Sequence, residues 1–448
     1  MSIPAFRTSL PSVSDSHPHD SANTGSTPDH HRRRLLLGVP ALAGSLALAP
    51  FGVAAQSQPG WCASWGCAPA GPAPAGSYYD YNFSGQTIRM AVRASIGGNR
   101  VRVRLSNQMG SAPLAIDAAW IGLRGSAQAV VAGSNHPLTF GGRSYVSIQP
   151  GASVLSDPLF FQLAPFADLA VSLYFPASAP ARASTLHRDS WSSTYVSTGN
   201  AAASTTFSYT RSFASWPFLT EVDVDVGAPC VVAIGDSLTD GQGSTVNQNR
   251  RWPDYLARRL QAELGSTAGR IGVVNRGIAG NRLLVDDPNA LLAGHDVLER
   301  FDWDVLATPG VESAIVAIGI NDIILASSTA LTRMRDDLIN GYRQLIMRAR
   351  ARGVTILGAT LPPIQGSGRN STARETVRQQ VNSWLRTANA FDALVDWDRV
   401  LADPAAPEYL RSAYNSGDGL HPNDAGYQAL AAAVPLRRLS ALSASAVG

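Results

Sequence analysis

Two short loops of this chain hold a serine, a histidine and an aspartate suited to acyl transfer. "GDSLTDG" (235–241) places Ser237 directly after an apolar run. "DGLHPNDAGY" (418–427) places Asp418 three residues before His421. A serine hydroxyl is a weak nucleophile and needs a neighbouring base. Histidine suits that task because its pKa lies near operating pH. At this spacing one glycine-bearing loop can present both groups, the carboxylate on one ring nitrogen and the serine facing the other. Beyond residue 55 the histidines are His136, His187, His295 and His421, and only His421 has such an acid. Acyl transfer also needs donors for a developing oxyanion. "RGIAGNR" (276–282) offers the unobstructed N–H of Gly280, and "GIND" (319–322) offers the side-chain amide of Asn321. The N–H of Ser237 would be a third donor. Taken singly, each stretch is commonly a turn or a helix cap.

The surrounding pattern predicts elements that would gather these residues. From Cys230 onward, strand-like runs at 230–235, 271–275, 312–318, 354–360 and 393–397 alternate with helix-like runs. The helical runs lie at 252–264, near 329–352, near 372–389 and near 423–442. Such alternation implies a mainly parallel sheet with helices on both faces, whose functional groups collect at the carboxyl ends of the strands. Residues 57–226 read differently, as short strands separated by turns. "QTIRMAVRAS" (86–95) and "RVRVRLSN" (100–107) alternate apolar and polar residues, which predicts a half-buried hairpin across "IGGN". "RSYVSIQPG", "DPLFFQLAP" and "LAVSLYFP" add strands, and the spacing suggests an antiparallel sandwich or jelly roll. The row Arg100, Arg102 and Arg104 would form a solvated strand face. "FLTEVDVDVGAP" (218–229) marks the boundary, with the second domain at 227–448.

The four stretches, in this order and over residues 230–440, resemble the four blocks of the SGNH, or GDSL, hydrolase superfamily. The resemblance implies a three-layer α/β/α domain. It makes Ser237 the nucleophile, His421 the base and Asp418 its orienting acid. Gly280 and Asn321 would complete the oxyanion hole with Ser237, while Asp236 and Asp322 would be supporting residues that shape the loops. The upstream region is similar to the accessory β-domain of a secreted bacterial branch. An α/β-hydrolase elbow, G-x-S-x-G, fits less well, because Thr239 stands where its second glycine belongs.

Composition narrows the class further. The chain has 448 residues, 45% apolar and 15% charged, as expected of a globular protein. It contains no lysine, so all 36 basic residues are arginine. That excludes Schiff-base, pyridoxal-phosphate and Walker-type phosphate-loop chemistry. A net charge of +3 implies no anionic partner, and no basic tract with interleaved aromatics suggests nucleic acid. Scattered histidines imply no metal, and the acyl-transfer reading requires no cofactor. Arg32, Arg33 and Arg34 precede an apolar run from Leu35 to Ala55 that closes in small residues. Residues 1–55 therefore resemble a twin-arginine export signal, implying a periplasmic or extracellular protein with no membrane contact after its removal. An uncleaved anchor is the alternative, weakened by Gly38, Pro40, Gly44, Pro50 and Gly52. Cys62 and Cys67 are a candidate disulfide or two free thiols, and Cys230 is a small buried apolar residue.

The expected function is a secreted serine esterase acting on short-chain O-acyl, chiefly acetyl, esters of carbohydrate. Acylated polysaccharide is the expected partner. Lipid or aryl esters are an alternative substrate class, and a catalytically silent glycan or cell-wall binding protein is an alternative of another kind. Oligomeric state is not readable.

Overall fold

Every residue of the strand Cys230–Gly235 is buried, and its side chains alternate between two hydrophobic layers. Cys230, Val232 and Ile234 enter one cluster; Val231 and Ala233 enter the other. A strand covered on both faces reads as a continuous apolar run, as this one does. The computed structural model describes residues 60–264, 271–287 and 290–439. Segment 1–55, expected from its sequence to be an export signal, lies outside them.

Five parallel strands form the central sheet: Cys230–Gly235, Gly272–Gly277, Val311–Ala317, Thr355–Ala359 and Ala393–Val395. Numbered along the chain, their order is 2-1-3-4-5. Connections therefore diverge on either side of the first strand and open a crevice at its carboxyl end. Register aligns Gly235 with Gly277 and with Ala317. Ser237, Gly280 and Asn321 all follow within four residues of that line, so three loops meet at one edge.

Helices Trp252–Leu264 and Asp424–Ala432 cover one face through Leu256, Leu260, Tyr427 and Leu430. Helix Ser328–Ala351 covers the other through Leu338, Leu345 and Ile346. The last helix is shorter than its apolar pattern predicts. Pro435 lacks an N–H and cannot continue it, and a short 3-10 turn, Leu436–Arg438, follows. Among the described residues no helix is long and apolar enough to cross a membrane.

The upstream region is an antiparallel sandwich. One sheet contains Trp61–Gly66, Leu219–Asp225, Gly98–Ser106 and Leu159–Leu163, with Ser153–Leu155 beside Gly98–Ser106. The other is built around Thr194–Thr198, Gln86–Arg93, Asp168–Phe175 and Ala118–Leu123. The expected hairpin at 86–107 does not form, because its two strands lie in different sheets. The connection between them is an arch tied down by Ser64, whose Oγ donates to the Ile96 carbonyl at 2.6 Å. Strand Gln86–Arg93 is also buried on both faces, with Arg89 enclosed and bonded to Ser172 Oγ at 2.8 Å. The arginine row is not simply solvated either. Arg100, Arg102 and Arg104 pair with Asp225, Asp223 and Glu221 at 3.1, 2.8 and 2.9 Å. Acids on the adjacent strand thus neutralise it.

A Cys62–Cys67 disulfide is ruled out by geometry. Cys62 lies on the strand Trp61–Gly66 and Cys67 immediately follows it. At roughly 3.3 Å of rise per residue the two are far beyond the ~7 Å between Cα atoms that a disulfide spans. Both thiols are free and buried, and burial raises that of Cys67 far above its ordinary value.

Sandwich and α/β regions belong to one compact unit. Arg276, on the second parallel strand, donates to the carbonyls of Cys67 and Thr220 and pairs with Glu221, all in the sandwich. Its guanidinium and the Glu221 carboxylate are both buried. Removing one partner of such a pair strands the other charge and costs about 3–5 kcal/mol. Arg276→Ala is therefore expected to destabilise the whole unit by about that amount, in one denaturant transition. A loss within about 1 kcal/mol, or two separate transitions, would contradict this coupling.

Candidate active site

Gly235 ends the first strand where no side chain fits: a Cβ there would lie 2.3 Å from the Ala317 carbonyl oxygen and 2.4 Å from Thr239 Oγ1. The chain then turns into a short helix, Ser237–Asp240, capped by Asp236, whose carboxylate accepts the Leu238 N–H at 3.1 Å. Ser237 is thereby set at the helix start with its hydroxyl at the crevice.

His421 arrives from the far end of the chain. Its loop is fixed by Asn423, the N-cap of the last helix, which accepts the Gly426 N–H at 3.0 Å. His421 Nδ1 lies 2.5 Å from Asp418 Oδ2. A carboxylate only accepts, so Nδ1 carries the proton, and Nε2 faces Ser237 Oγ at 2.8 Å as an acceptor. Asp418 Oδ1 also accepts the backbone N–H groups of Leu420 and His421 at 2.9 and 2.8 Å. Partial burial raises the Asp418 carboxyl, but these hydrogen bonds outweigh it and hold the carboxyl below its ordinary value. Ser237, His421 and Asp418 thus form one hydrogen-bonded chain.

Gly280 and Asn321 line the same cavity, of about 470 Å³, as Ser237 and His421. Gly280 sits at φ +83°, a conformation that favours glycine. Asn321 is buried in the helix Ile320–Ile324, and its Nδ2 donates one hydrogen to the Asn281 carbonyl at 2.9 Å. The amide holds a second hydrogen for another acceptor.

Asp322 is not in the cavity wall. Its carboxylate accepts the N–H groups of Leu283 and Leu284 at 2.9 and 3.1 Å, tying the Gly280 loop to the Asn321 helix. Burial pushes Asp322 up to about 7 against those two bonds, and burial likewise pushes Asp236 up to about 7.

Three further residues support the site; Asn281 lies inside the stretch 276–282, whereas Arg300 and His187 have no local sequence signal. Asn281 Nδ2 donates to the carbonyls of Ala293 and His295, both at 2.7 Å, and its Oδ1 accepts from Arg300. Arg300 is buried and also donates to the carbonyl of Gly235 at 3.0 Å, just before the serine loop. His187 comes from the sandwich and meets Asp240 at 3.1 Å. Arg300 and His187 belong to no spacing pattern, because each is brought in by the tertiary fold. The other histidines stand apart from the serine. His136 lies on a sandwich strand, and His295 Nδ1 sits 2.9 and 3.2 Å from Asp286 and Glu299 in a partly exposed cluster.

Residues 233–429 match the model of the GDSL-like Lipase/Acylhydrolase family. No curated protein matches the chain significantly. Among solved structures, an acetyl xylan esterase variant from Geobacillus stearothermophilus is 24% identical, over 47% of this chain and 94% of that one, with a TM-score of 0.35. An aryl esterase from M. smegmatis is 18% identical, over 47% of this chain and 100% of that one, with a TM-score of 0.37. With its parallel sheet and ordered blocks, the region 233–429 is a GDSL-like lipase/acylhydrolase domain.

Proposed function

We propose that this protein hydrolyses short-chain O-acyl esters of carbohydrate through an acyl-enzyme on Ser237. The observation that carries the reading is the Ser237–His421–Asp418 chain, at 2.8 and 2.5 Å, opening into the cavity that Gly280 and Asn321 line. Ser237 Oγ attacks the ester carbonyl while His421 Nε2 takes its proton. Asp418 holds the Nδ1–H and stabilises the imidazolium. Negative charge forms on the former carbonyl oxygen, facing the N–H groups of Ser237 and Gly280 and the Asn321 amide. The tetrahedral centre collapses, and His421 returns the proton to the departing alcohol oxygen. A water molecule, deprotonated by His421, then releases the acid and restores the serine.

The cavity wall supports the alcohol side of this reading. Arg188, Gln242, Ser367 and Arg369 offer hydrogen-bonding groups suited to a hydroxyl-rich alcohol. Ala279, Ala290 and Ala293 offer small apolar contacts suited to a short acyl chain. The arginine-led apolar run of residues 32–55 supports an exported enzyme, which would meet acylated polysaccharide outside the cytoplasm.

Turnover of p-nitrophenyl esters should fall steeply from acetate to longer acyl chains, and acetate should be released from acetylated polysaccharide. Equal or rising turnover with chain length would favour lipid esters, and no turnover from folded protein would favour a silent binding protein. Ser237→Ala should keep the fold and abolish turnover; near-wild-type activity would mean another nucleophile. Asn321→Ala should lower kcat by roughly 10²–10³, and an unchanged kcat would remove it from the oxyanion site. Asp418→Asn should lower kcat by roughly 10³–10⁴, through loss of the correct imidazole tautomer. It should also change acid stability. A carboxyl held low in the fold contributes stability that is fully present above its unfolded value of 3.8 and is lost as pH falls through the folded value. The melting-temperature deficit of Asp418→Asn should therefore shrink as pH falls below that value, and a constant deficit would contradict the assigned ionisation.

A further inference from the structure

His187 lies in the strand Leu186–His187 of the sandwich, yet its ring is 4% exposed and turned into the hydrolase domain. Nδ1 is 3.0 Å from the Ala68 carbonyl oxygen, and Nε2 is 3.1 Å from Asp240 Oδ1. A carbonyl only accepts, so Nδ1 is protonated, and the Nε2–Oδ1 contact needs one shared proton. Asp240 ends the helix that begins at Ser237. Its second oxygen, Oδ2, accepts the N–H of Ala279 at 3.1 Å. Ala279 immediately precedes Gly280. The ring is further held by stacking on Trp216, with centroids 5.3 Å apart, and Trp216 Nε1 donates to the Ala91 carbonyl at 3.1 Å.

We propose that His187 is a positioning residue of the oxyanion site, acting through Asp240 and Ala279 on the Gly280 N–H. The inference rests on the proposed role of Gly280 as an oxyanion donor. Glycine at positive φ is the least restrained residue type, so its N–H direction must be set by its neighbours. On the far side, Asn281 is fixed by Arg300 and by the carbonyls of Ala293 and His295. On the near side, Asp240 holds Ala279, and Asp240 is in turn held by His187. An oxyanion donor works only within a few tenths of an ångström of its place, and misplacement by about 1 Å costs about 10²-fold in rate. The sandwich thereby enters the chemistry without touching the substrate through this residue.

A merely structural contact predicts lower stability with turnover per folded molecule unchanged. Positioning predicts a split between kcat and KM. The full chain is assayed with p-nitrophenyl acetate well below each variant's melting temperature. His187→Ala is expected to lower kcat about 10–100-fold with KM within about twofold. His187→Gln, whose carboxamide N–H can still donate to Asp240, is expected to recover kcat to within about threefold of the wild type. His187→Phe keeps the stack on Trp216 and drops the bond to Asp240. It should match the alanine variant, and it serves in its place should that one not fold. Wild-type kcat in folded His187→Ala or His187→Phe would overturn the proposal, as would an equal loss in His187→Gln. Ser237→Ala separates the two readings. If it is inactive while the His187 variants keep their kcat, only the positioning role fails.

Discussion

A parallel sheet ends in carbonyls that its own ladder does not satisfy, and here a buried guanidinium collects them. Arg300 donates to the carbonyls of Gly235 and Arg276 at 3.0 and 2.8 Å, at the ends of the first two strands. It also donates to Asn281 Oδ1 at 2.9 Å and pairs with Asp304 at 2.8 Å. One side chain thus ties the strand before Ser237, the strand before Gly280 and the residue after Gly280. A buried cation is tolerated only when its charge and its donors are met. Five hydrogen bonds from Arg300 meet that condition, and the relative placement of serine and glycine follows from them.

The same logic joins the two regions. Arg276, whose carbonyl Arg300 binds, sends its own guanidinium into the sandwich to Glu221, Cys67 and Thr220. Glu221 also pairs with Arg104, closing the ladder of acids and arginines between two sandwich strands. Further contacts reinforce the joint, including Ser95 Oγ accepting the Val273 N–H at 2.9 Å and Ala63 N–H donating to the Pro309 carbonyl at 3.0 Å. A sandwich bound through buried charge is part of the enzyme's frame. It also supplies Arg188 to the cavity wall.

The carboxylates near the serine divide by environment. Asp236 and Asp322 are buried, brace backbone N–H groups and are pushed up to about 7 by desolvation. Asp418 is half exposed, receives an imidazole and two backbone donors, and stays below its ordinary value. The proposed mechanism needs this acid ionised to stabilise an imidazolium, and solvent access together with its hydrogen-bond donors favours that state. Braces need only accept hydrogen bonds, which either protonation state can do.

Much of the hydrolase region was legible in the sequence. The five parallel strands and the helices at 252–264, 328–351 and 372–387 lie within a few residues of where apolar periodicity places them. Local chemistry explains this: a parallel strand covered on both faces is largely apolar, and a strand end must turn. The spacing of Asp418 and His421, and the loops of Ser237, Gly280 and Asn321, were readable for the same reason. The sandwich was read less well. Alternation in 86–107 specified two strands but not that they belong to different sheets, because period two says which face is buried and not against which partner. Cys62 and Cys67 are close in sequence but separated by extended backbone. His187 and Arg300 carry no motif, since their roles depend on carbonyls and carboxylates that only the folded chain brings beside them. The sequence by itself determined which loops carry reactive groups and that they share one sheet edge. Only the tertiary structure decided how those loops are held, because buried charges find their partners across long chain separations.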